Sequence, residues 1–244
     1  MTSEECIGEI IEATTTEFLA ESRELHAPPA FGSFVKVPFD LQQTSPESLP
    51  TITSSQEEKD PFEEPWKRLE GTFSQSYKSL VEGEEELQIP PAIFGIVYHS
   101  ATMNVDSNRR PRAYWKDEEK LKEEQPELAE WLLMTEFRAI IIGFSENGRI
   151  RRYLPPRPPK IHYFVYPCTT DEIRAITQSM DFLRTLSSFR NAPSDEVIAA
   201  CIREAARAHQ PNDFEFKVAA GKKLANLLKD DYERLEAIIR RVAP

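Results

Sequence analysis

The stretch FRAIIIGF (Phe137–Phe144), followed by Glu146-Asn147-Gly148 and then Ile150–Leu154, decides the fold. Its apolar core is too short for a buried helix, is rich in β-branched residues and is closed by an Asn-Gly pair suited to a tight turn. It therefore predicts a buried strand, a hairpin turn and a returning strand. Upstream, IFGIVY (Ile93–Tyr98) has the same character and predicts a second buried strand, with Gly95 open to a bulge or a close backbone approach. Further out, FVKVP (Phe34–Pro38) alternates apolar and polar residues as a strand does. Near the N-terminus IGEIIEATTTEFLAES predicts strands over about Cys6–Ala13 and Phe18–Leu25, separated by a β-branched run. Their alternation is too blurred to fix a register. A strand over Ile161–Tyr166 follows the proline-rich Pro155–Pro159.

After Cys168 the period changes from two to about 3.6. Thr169 with Glu172 three residues later predicts a capping box. Ile173, Ile176, Met180, Leu183 and Leu186 then mark one helical face. A second helix is expected from Pro193-Ser194-Asp195-Glu196 to about Ala208. A third is expected over Phe216–Val242, with Leu224, Leu228, Leu235, Ile239 and Val242 on its stripe. Shorter helices are expected at Asp117–Glu124 and from Pro126 through Met134. Between about 42 and 88, Ser, Thr, Pro, Glu and Gln dominate. So few apolar residues cannot offset the conformational entropy of ordering, and a long, acidic, mobile insertion is expected. The division read from this pattern is a β-rich domain over 1–168 and a helical domain over 169–244.

The charge is uneven. Of the net −11, residues 1–88 alone carry 19 acids against 6 bases, so the remainder of the chain is slightly basic. An acidic surface repels phosphate backbones and anionic membranes, which favours protein partners. No apolar run reaches the roughly 18 residues of a membrane span, and the opening MTSEEC is acidic where a secretory leader is basic. The expected location is cytoplasmic, without membrane insertion. Three widely spaced cysteines, Cys6, Cys168 and Cys201, fit neither a disulfide framework nor a zinc site.

Chemistry-bearing motifs are incomplete. Gly221-Lys222-Lys223 lacks the preceding glycine and the hydroxyl of a phosphate-binding loop, and eight glycines in the chain supply no dinucleotide fingerprint. His26, His99, His162 and His209 show no metal-binding spacing, and no Ser lies in a GxSxG context. No catalytic residue, metal ligand or cofactor is assigned. A site assembled in space around His99, His162 and Cys168 is the enzyme alternative. Two basic clusters form a candidate binding surface: Arg109, Arg110 and Arg112 beside Tyr114 and Trp115, and Arg149, Arg151 and Arg152 beside Tyr153. Arginine next to aromatics suits phosphate and base stacking, or ion pairing to a protein. Nucleic acid is thus the alternative partner.

The opening IGEIIEATTTEFLAES, GSFVKV (Gly32–Val37) and IFGIVYHSAT (Ile93–Thr102) together resemble the HerA–ATP synthase (HAS) barrel domain, over residues 5–38 and 89–166. The resemblance implies a small antiparallel β-barrel. The expected fold is therefore α+β, a barrel with a long acidic insertion followed by an α-helical region. In HerA-type DNA translocases a motor domain follows the barrel. Here about 75 helical residues follow, without a phosphate-binding loop, so motor activity does not carry over. What the resemblance implies is a docking role: a non-catalytic adaptor or assembly factor on a ring-shaped or multisubunit protein complex.

Overall fold

The computed structural model describes residues 5–39, 89–106, 118–124 and 132–242. Seven strands form one antiparallel sheet: β1 Gly8–Ala13, β2 Glu17–Ser22, β3 Phe34–Pro38, β4 Ala92–Asn104, β5 Leu133–Glu146, β6 Arg149–Arg151 and β7 Phe164–Pro167. Their order is β2-β1-β7-β3-β4-β5-β6. The extra pairing of β2 with β5, running from Glu17↔Ile140 to Glu21↔Glu136, closes six of the strands into a barrel and leaves β6 as a flap on β5. The α+β barrel expected from the sequence is present. The 42–88 insertion lies outside the described residues.

Strand formation follows the alternation of the sequence. Ile10, Phe18, Ala20, Val35, Val37, Ile93, Val97, Phe137, Ala139, Ile141, Phe144 and Val165 point inward and fill the barrel. The interior of a six-stranded barrel is narrow enough for side chains to pack it solid. The register at the N-terminus was unreadable because of a bulge. Between Ile10 and Glu12 the pairing with β2 shifts by one residue, so Ile11 breaks the two-residue period.

Six helices are described: α1 Glu118–Glu124, α2 Thr170–Thr177, α3 Phe182–Ser188, α4 Ser194–Ala208, α5 Asp213–Leu227 and α6 Tyr232–Val242. The capping box at Thr169 and Glu172 is formed on α2. The expected single helix over Phe216–Val242 is two, broken after Leu227, and Asp231 caps the new start by accepting from the Arg234 N–H at 3.1 Å. The break re-phases the stripe, so Ile238 is buried while Ile239 is exposed. The expected helix ending at Met134 is corrected there: Leu133 and Met134 belong to β5, and most of that segment lies outside the described residues.

The helices cover one side of the barrel. Phe34, Phe94, Ile96, Tyr98, Ile140 and Ile142 point outward and share a core with α2 through α6. This is why IFGIVY and FRAIIIGF read as continuous apolar runs: these strand halves are buried on both faces. Helix α4 is central, and Val197, Ile198, Ala199, Ala200, Cys201, Ile202, Ala205 and Ala206 are all buried. Its alanines allow a close approach to the barrel. At Gly32, with φ +85°, an added Cβ would lie 2.5 Å from the Ala200 Cβ. A buried ion pair fastens the same side, with Lys36 on β3 donating to both carboxylate oxygens of Glu172 on α2 at 2.8 and 2.9 Å.

Candidate functional site

Helices α2 through α6 do not share in the barrel's other side, whose outward side chains are mostly charged. The strand register places them in rows. Phe164 on β7 is opposite Glu9 on β1, Glu9 opposite Glu21 on β2, Glu21 opposite Glu136 on β5, and Glu136 opposite Ala101 on β4. One row across five strands thus reads Phe164–Glu9–Glu21–Glu136–Ala101. Neighbours in such a row have Cβ atoms about 5 Å apart, and like charges directly opposite one another are destabilising. A second row sets Glu12, Leu19, Arg138 and His99 side by side.

The cations at this face only partly balance it. Arg138 reaches Glu12 at 3.6 Å, and Arg23 reaches Glu5 at 3.2 Å. His162, in the turn before β7, bonds Glu9 through Nδ1 at 2.7 Å. Partial burial raises the pKa of Glu136. Arg138 opposes that rise, while Glu21 and Glu12 add to it. The border with the helix-covered side is marked by Tyr98. Its hydroxyl donates to Glu17 at 2.5 Å and its ring meets Phe189 edge-on. Burial, then the bond to Glu17, pushes the Tyr98 phenol up, so it stays a donor. Phe164 is half exposed at one end of the acidic row, 50% accessible.

The candidate residues read from the sequence fall elsewhere. Arg109, Arg110 and Arg112 lie outside the described residues. Arg149 and Arg151 are on β6 and Arg152 follows it, beside Tyr153, which is 61% exposed and rests edge-on against Phe144. Arg152 bonds the carbonyl of Ala175 on α2 at 3.4 Å, so this basic group borders the helices, and Arg151 is half-buried. His99, His162 and Cys168 have separate surroundings. His99 pairs with Arg138, His162 binds Glu9, and Cys168 packs on the helical core while its N–H bonds Phe34. Among the described residues no group of three or more His, Cys, Asp or Glu could hold a metal ion, and no helix is long and apolar enough to cross a membrane.

Sequence reading missed the acidic row. The alternation around Glu9 was blurred and Glu136 lies just outside the strand read from the sequence, so neither their outward direction nor the pairing of Glu21 with Glu136 across the barrel closure was legible. No protein-family model matches this chain, and no curated protein matches its sequence.

Proposed function

We propose that this protein is a non-catalytic adaptor or assembly factor whose barrel docks a protein partner on the face away from helices α2 through α6. The observation that carries this reading is the register of Glu9, Glu21 and Glu136, three carboxylates in one cross-strand row on the side away from the core of α2 through α6. A folded protein holding like charges in line keeps a surface that a basic partner relieves. Helices α2 through α6 brace the opposite side. The resemblance of the strand sequences to the HAS barrel, whose role is docking on multisubunit assemblies, supports the same reading. A cytoplasmic setting is part of it.

Affinity capture from the source cells, comparing wild type with Glu21→Lys/Glu136→Lys, tests it. Loss of a defined protein partner in the variant, with the fold retained, is the expected result. Capture that is indifferent to the double charge reversal overturns it.

A second reading is nucleic-acid binding through the β6 arginines, favoured by the exposed Tyr153 beside Arg149 and Arg152. It requires affinity that falls steeply with salt and is lost in Arg149→Glu/Arg152→Glu. Absent or salt-insensitive binding to single-stranded DNA and RNA removes it.

A further inference from the structure

A closed barrel leaves no strand edges, yet among the described residues β4 has one. Its pairing with β3 ends at Ile96, and the loop before β3 adds only the bonds from Gly32 N–H to the Val97 carbonyl and from Val97 N–H to the Ser33 carbonyl, at 2.8 and 3.0 Å. Beyond that point β4 continues along β5 for six more pairs, from His99↔Arg138 to Asn104↔Leu133. Val105 N–H bonds the Leu132 carbonyl at 2.9 Å. Hydrogen-bonded pairs alternate along an antiparallel ladder, so Met103, Ala101 and His99 also turn their backbone groups toward β5. The N–H and C=O groups of Ser100, Thr102 and Asn104 therefore point the other way, where no described strand meets them. Ser100 and Thr102 are exposed.

This edge lacks the usual protection. Natural edges are blunted by charges or proline, but His99–Asn104 reads HSATMN, with neither Lys, Asp, Glu nor Pro. It also borders the acidic row, since Ala101 is the row's last member and Glu136 its neighbour. A strand added here would place one residue opposite Ala101 in a non-hydrogen-bonded pair, where side chains lie closest. The Ala101 methyl leaves the space above it open. Two strand spacings, about 10 Å, separate that residue from Glu136, a span that an extended Lys or Arg and a Glu cover together. A second copy of this chain would bring its own acidic row, so charge favours a basic partner.

We infer that the β4 edge at Ser100, Thr102 and Asn104 takes up an extended segment of a partner protein as an added strand, with a Lys or Arg of that segment crossing Ala101 to Glu136. The inference rests on the docking role proposed above and names the form and charge of what docks. Main-chain bonds supply the affinity, and the acidic row selects the basic side chain.

The probe is a labelled, end-capped eight-residue peptide alternating Lys and Val, followed by fluorescence anisotropy. N-methylation of alternate residues, in either phase, keeps its charge but removes one edge of backbone donors. One phase is expected to weaken binding at least tenfold, as is Thr102→Pro, checked for folding by circular dichroism. Glu21→Gln/Glu136→Gln is expected to weaken it several-fold and flatten its salt dependence. Methylated peptides that bind like the parent in both phases overturn strand addition and leave charge-driven docking standing. So does a parent peptide that fails to bind while cellular capture still depends on Glu21 and Glu136. A self-association of the protein alone that Thr102→Pro abolishes puts a second copy on the edge and also overturns it. Failure of the docking role itself is read separately, as capture indifferent to Glu21→Lys/Glu136→Lys.

Discussion

Strands β4 and β5 each lead two lives. From Ala92 to Tyr98, and from Ile140 to Phe144, they are buried inside the barrel and beneath the helices. From His99 to Asn104, and from Leu133 to Arg138, the same strands turn their outer face to solvent and acidic neighbours. One ladder joins both halves, so hydrogen bonding does not distinguish them. The difference lies in what covers the outer face. The covered half is bound into the core and serves stability. The open half sets like charges in line and has an edge that no described strand pairs, and the proposed docking falls there.

That contrast breaks most sharply in the covered half. Ile198 is fully buried in α4 against the barrel, and Ile198→Ala should cost about 3–4 kcal/mol in denaturant unfolding. Glu172→Gln leaves the Lys36 ammonium buried without its counter-charge, and the loss should be about 3 kcal/mol. The paired change Lys36→Met/Glu172→Gln should recover most of it, and a double-mutant cycle measures the difference. Gly32→Ala forces a Cβ into α4 at a left-handed backbone position. A loss of about 2 kcal/mol is expected, visible as a lowered thermal midpoint.

The open half should respond weakly and with the opposite sign. Glu136→Gln removes a like charge from the row and should stabilise by about 0.3 kcal/mol near neutral pH. The pH dependence sharpens this. Folding raises the Glu136 pKa above its ordinary value of 4.5, so the native state holds that proton more tightly than the unfolded chain. The contribution of Glu136 to stability is therefore full below that value and falls as pH rises through the folded pKa. In Glu136→Gln this fall should be absent, and the two stability–pH curves should separate as pH rises. Curves that stay parallel would mean that folding does not raise the Glu136 pKa.

Much of the architecture was legible in local pattern. The apolar runs of β4 and β5, the alternation in β3, the capping box of α2 and the span of α4 all stand where the sequence puts them. The polar continuations of β4 and β5 were not legible, because HSATMN and LMTE carry no apolar alternation and are strands by virtue of pairing with distant segments. The break between α5 and α6 was hidden by a stripe that runs through it.

The sequence by itself determined the buried strand runs of β4 and β5, where the period changes from strand to helix, and the lack of a phosphate-binding loop. These follow from neighbours a few positions apart, where periodicity acts. Only the tertiary structure decided that β2 closes on β5, that the helices cover one side of the barrel, and that Glu9, Glu21 and Glu136 fall into one row. Glu21 and Glu136 are brought together by barrel closure and not by anything local to either strand. A register between such distant segments is set by burying the whole inward set at once, and no local pattern contains it.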